Sequence, residues 1–207
     1  MDRSDVKVEN EVMKYIAEAR SFLPGLPEDM SFVWDINLII PGNGSGGTLL
    51  EPTILGIGYN PDFKDKNLLT KNLRATILHE CFHSVQGWSD KNPTLIPETL
   101  LEDGVLEGAA TVFEREKGGT SPLWSMYEDD KTMQKWLKEI LDQKYNPNSD
   151  QYNVYKFGEI NGTKWMLYKL GTWIIDKVLA RNSNLRIEDL ANKNPKELLV
   201  LAGVLLK

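Results

Sequence analysis

The chain has 207 residues, 41% apolar and 26% charged, which excludes collagen-like, disordered and disulfide-stapled chains and predicts a core burying roughly 70% of the unfolded surface. Asp plus Glu number 30 against 24 Lys plus Arg, a formal charge of -6 that repels phosphate backbones and anionic lipid. No nucleic-acid or membrane partner is therefore expected, and a single cysteine, Cys81, favours a reducing compartment.

The start, Met1-Asp2-Arg3-Ser4-Asp5, lacks a basic segment followed by an apolar one, and no apolar run approaches the ~20 residues of a membrane span. A cytoplasmic protein is expected, with export open where a leader has been removed. Apolar residues at Val12, Ile16 and Phe22 predict a helix over 8–22, closed by Leu23-Pro24-Gly25. Residues 31–40 are rich in β-branched and aromatic side chains and end at Pro41-Gly42, which predicts a strand. Residues 43–47 predict a flexible turn, and 53–59 a second strand. Helices are expected near 70–86, 98–116, 131–144, 162–180 and from 187 to the end, with a long loop over 145–157 around Pro147. The expected fold is α+β, one domain over 1–207. An N-terminal helix and small sheet occupy 1–66, and a mostly helical body carrying the site occupies 67–207.

His79-Glu80-Cys81-Phe82-His83 is an HExxH sequence, and it contains both histidines of the chain. On a helix the i, i+4 spacing stacks the two imidazoles on one face, where two neutral nitrogens can bind one Zn²⁺. Glu80 lies roughly 100° round the helix, the offset a general base needs to reach water activated by a metal. Cys81, roughly 200° from His79, points away and reads as a core residue.

A catalytic zinc usually has three protein ligands. With no third histidine, and Ser89 where the metzincin extension needs one, the third must be Glu, Asp or Cys. Glu107-Gly108-Ala109-Ala110 offers a carboxylate followed by small residues that let helices approach closely. Asp103 and Glu114 share its helical face, and Asp103 could orient a ligating imidazole through its other nitrogen. Glu102 is the rival, about 140° from Glu107, so the two cannot serve one metal. Glu107 is preferred, and Glu98, Glu102 and Glu116 read as a solvated acidic face.

HExxH followed by this Glu-Gly-x-Ala helix resembles the gluzincin metallopeptidases, the clan of thermolysin and the zinc aminopeptidases. The chain is most similar to the YjaZ-like family of predicted Zn-dependent proteases. That family pairs a two-strand lead-in, an HExxH helix, an EGxA helix and a C-terminal Tyr-x-x-Gly helix, here Tyr168-Lys169-Leu170-Gly171. The resemblance spans roughly residues 36–175. Thermolysin's Asn-Glu-x-x-Ser-Asp is absent, as is the exopeptidase Gly-x-Met-Glu-Asn strand, replaced by Gly56-Ile57-Gly58-Tyr59-Asn60.

The resemblance implies a zinc metallopeptidase, endopeptidase-like, acting on a peptide or protein. His79, His83 and Glu107 would hold Zn²⁺, and Glu80 would act as general base. Tyr168 would stabilise the oxyanion, although packing in an apolar helix is the competing reading. Residues 53–59 could present a strand edge to an extended peptide, with Gly56 and Gly58 permitting close approach. The alternative is a non-catalytic zinc-binding module of the same fold, acting in binding or regulation.

Overall fold

The computed structural model describes residues 3–160 and 162–205. Packing divides them into two units. One runs to Leu95 and takes in Glu116–Thr120; the other comprises Ile96–Arg115 and the described residues from Ser121 onward.

The first unit opens with α1 (Arg3–Phe22), which buries Val12, Ile16 and Ala19 at helical spacing. A sheet of three strands follows, β1 (Ser31–Trp34), β2 (Ser45–Glu51) and β3 (Ile54–Tyr59), in the order β1-β3-β2. β1 runs parallel to β3 and β2 antiparallel to it. The strand expected over 31–40 stops at Trp34 because Asp35 caps a 3-10 turn, Ile36–Leu38, accepting from the Asn37 N–H at 2.9 Å. The turn expected over 43–47 is corrected more sharply, since Ser45, Gly46 and Gly47 begin β2. Both faces of the sheet explain the glycines. A methyl group on Gly46 would stand 2.0 Å from the Leu38 carbonyl oxygen, and one on Gly58 2.6 Å from the Ile39 nitrogen. The close backbone approach allowed by these glycines is thus made by the chain's own 3-10 turn.

On the opposite face lie Ser45, Gly47 and Leu49, with Leu55 and Ile57 beside them in register. This face packs on α2 (Lys66–Gln86), where Ser45 Oγ and Thr76 Oγ1 are 3.4 Å apart. Asp65 caps α2, its Oδ1 accepting from the Leu68 N–H at 2.9 Å. Gly87, at φ 79°, ends the helix in the left-handed conformation, and the Trp88 N–H reaches back to the His83 carbonyl at 3.1 Å.

The second unit is built on α3 (Leu100–Gly118), whose last residues group with the first unit. Its start is fixed by Thr99 Oγ1, which accepts from the Glu102 N–H at 3.2 Å, and by Glu102, which accepts from the Glu98 N–H at 2.7 Å. Glu102 is therefore a buried helix-start residue and not part of a solvated face. α4 (Asp130–Ile140) follows. The loop expected over 145–157 contains α5 (Asp150–Lys156), started by Ser149 Oγ accepting from the Tyr152 N–H at 3.1 Å. A short antiparallel ribbon, β4 (Glu159–Ile160) and β5 (Thr163–Lys164), leads to α6 (Met166–Arg181). The last expected helix splits into a 3-10 turn, Ile187–Leu190, and α7 (Pro195–Ala202), begun by an Asn194 cap with Pro195 in the first turn.

α3 and α6 meet at glycines. A methyl on Gly108 would come 2.1 Å from the Gly171 carbonyl carbon, and one on Gly171 1.7 Å from the Gly104 carbonyl oxygen. The small residues beside Glu107 thus admit α6. The architecture is the mostly helical α+β fold expected, and among the described residues no helix is long and apolar enough to cross a membrane.

Candidate metal centre

The C-terminal half of α2 is buried almost all round, and the HExxH residues lie in it. His79, Glu80 and His83 are each less than a tenth exposed. One turn apart on the same helical face, the imidazoles meet through their Nε2 atoms, 3.1 Å apart, with ring centroids separated by 4.8 Å. His83 Nδ1 stands 2.8 Å from Gln86 Oε1. An amide oxygen only accepts, so this pairing calls for an N–H on Nδ1, and in a neutral ring so paired the lone pair is on Nε2. The indole of Trp88 packs at 4.8 Å against the same ring.

This donor pair fits zinc. Two nitrogens bound tetrahedrally at ~2.05 Å stand about 3.3 Å apart, close to the separation the helix already imposes. Gln86 also supplies the outer partner by which metal-binding histidines are usually held in one tautomer. It was missed from the sequence, although a polar amide three residues after the second histidine was a readable signal.

Glu80 projects beside the pair toward β2. Gly47 lies against its stem: a methyl there would come 3.0 Å from Glu80 Cγ and 2.8 Å from Thr76 Cγ2. Cys81 is wholly buried, as expected, and burial, followed by the charge of Glu80, pushes its thiol well above the ordinary range. β3 cannot receive a peptide strand as anticipated, because β1 and β2 pair with both its edges. The edge that packs beside Glu80 is β2.

In the second unit, α3 carries Asp103 and Glu107 one turn apart, 0% and 3% exposed. Between them reaches Lys156 from the end of α5, itself 3% exposed. Its Nζ is 2.8 Å from Glu107 Oε1 and 3.4 Å from Asp103 Oδ2, and it donates to the Tyr152 hydroxyl at 2.7 Å. Burial works against the ammonium charge, but Asp103 and Glu107 outweigh it and hold the Lys156 pKa well above the ordinary value. Tyr152 is pushed up in turn, chiefly by burial and then by Asp103. Tyr168 is half-buried in the first turn of α6, its ring 6.0 Å from Lys156 Nζ. Its neighbour Gly171 serves the crossing with α3. Glu114, on the face of Glu107, is buried and accepts from the Trp124 indole at 3.3 Å.

A model of the family described as predicted Zn-dependent protease (DUF2268) matches residues 41–200. No curated protein and no solved structure matches the chain.

Proposed function

Because the chain belongs to this family of predicted Zn-dependent proteases, we propose that it is a zinc metallopeptidase of the gluzincin type, hydrolysing internal peptide bonds. His79, His83 and Glu107 would hold the zinc, a His₂Glu donor set. All three are buried, and each offers one ligand atom. The observation that carries the reading is the 3.1 Å approach of the two imidazole Nε2 atoms, with Gln86 Oε1 2.8 Å from the other nitrogen of His83.

Bound zinc supplies Lewis acidity toward a scissile carbonyl and toward water. Glu80 accepts the proton of the attacking water and delivers it to the leaving amine, so the carboxylate ends the cycle as it began. Its stem packs against β2 at Gly47. The Tyr168 hydroxyl donates to the oxyanion as charge builds there.

The test is a mixed peptide library digested by the natural chain and by Glu80→Gln at equal zinc occupancy, read by mass spectrometry. Cleavage by the natural chain alone supports the reading and reports the side-chain preference. Cleavage by both removes Glu80 from the mechanism. Zinc bound without cleavage by either favours a metal-bound binding module.

A further inference from the structure

We propose that Lys156 is a positioning residue for the third metal ligand, engaging Glu107 Oε1 so that this carboxylate presents one oxygen to the metal rather than both. The proposal rests on the assignment of Glu107 as a ligand.

Two carboxylates buried one turn apart on α3 repel each other, and each loses its hydration. A buried cation between them offsets both costs, and that alone would explain a lysine. The geometry goes further. Lys156 does not sit midway: Nζ is at hydrogen-bond distance from Glu107 Oε1, 2.8 Å, and only at ion-pair distance from Asp103 Oδ2, 3.4 Å. A second N–H is committed to the Tyr152 hydroxyl at 2.7 Å. The ring centroids of Tyr152, Phe157 and Tyr168 stand 5.2, 5.7 and 6.0 Å from Nζ, enclosing the ammonium with aromatic faces. Lys156 is thus fixed from three directions, and it fixes one oxygen of Glu107. A compact ammonium suits this task, because the planar fork of arginine tends to take both oxygens of a carboxylate.

A carboxylate held by one oxygen adds a single bond to a metal; one released to turn can add two. Cobalt(II) reports the difference, since its visible ligand-field absorption weakens as coordination rises from four to five. The experiment loads Co²⁺ into the natural chain, Lys156→Met and Glu107→Gln, each at full occupancy. Lys156→Met should lose about twofold or more of that absorptivity. An unchanged spectrum in Lys156→Met, with a changed one in Glu107→Gln, overturns the positioning role and leaves Glu107 a ligand. An unchanged spectrum in Glu107→Gln overturns the parent assignment instead. Should the methionine variant fail to fold, Lys156→Gln, uncharged and too short to reach Oε1, takes its place with the same expectation.

Discussion

Gly47 on β2 and Glu80 on α2 are packed so closely that one added methyl group would stand 3.0 Å from the Glu80 methylene. The same methyl would press on Thr76 at 2.8 Å and on the Gly56 carbonyl at 3.2 Å. Gly47→Ala therefore displaces the Glu80 carboxylate without touching either histidine. Zinc content should stay at the natural level while kcat falls by about tenfold to a hundredfold, as expected when a reacting group moves by a fraction of an ångström. Adding Thr76→Ala removes one of the two side-chain collisions and should recover part of the loss. Steady-state kinetics on the single and double variants, with metal analysis, check both statements.

Gln86 holds the proton-bearing nitrogen of His83 at 2.8 Å. Gln86→Leu leaves that N–H without its acceptor and frees the ring to turn. Zinc affinity should drop about 10–100-fold, measured by competition with a chromophoric chelator. Gln86→Glu keeps an acceptor and should retain most of the affinity.

The crossing of α3 and α6 depends on Gly108 and Gly171, whose missing side chains leave no space even for Cβ. Gly108→Ala pushes backbone against backbone, which a rotamer change cannot relieve. A loss of about 3 kcal/mol is expected, read as a lower urea midpoint at unchanged slope.

Arg74 on α2 clasps Glu18 on α1 through two hydrogen bonds, 2.9 and 2.6 Å, and also donates to the Gly118 carbonyl at 2.8 Å. The guanidinium holds the Glu18 carboxyl below its ordinary pKa of 4.5. A depressed acid stabilises the fold above its unfolded pKa and loses that contribution as pH falls through the folded value. The pair is partly solvated, so its contribution is about 1 kcal/mol. Glu18→Gln should be less stable by that amount at pH 7, and the difference should vanish on acidification below the depressed value. Denaturant titrations at pH 7, at pH 5 and at successively lower pH follow it.

The sequence made α2 legible because cap, period and stop agree: Asp65 before the helix, apolar residues through it, Gly87 after it. Its histidine pair follows from spacing alone, and so does the shared face of Asp103 and Glu107. β2 was hidden because Ser45-Gly46-Gly47 lacks the side chains that mark a strand, their absence being imposed by tight neighbours on both faces. α5 was hidden by polar residues and Pro147, with its stability coming from buried Tyr152, Tyr155 and Lys156 rather than from propensity. Lysine is a surface residue by default, so nothing local announces that Lys156 is buried between two acids. Glu102 misled for the complementary reason: an acid at a helix start looks solvated until its backbone partner at Glu98 is seen.

The fully buried position of Cys81, on the side of α2 away from the histidine pair, has a practical corollary. Its thiol stays protonated and shielded, while the proposed ligands offer only nitrogen and oxygen. Nothing in the proposed chemistry then depends on sulfur. Alkylating reagents and mild oxidants, which disable thiolate-ligated zinc proteins and cysteine peptidases alike, should leave this chain working, whereas chelators should stop it.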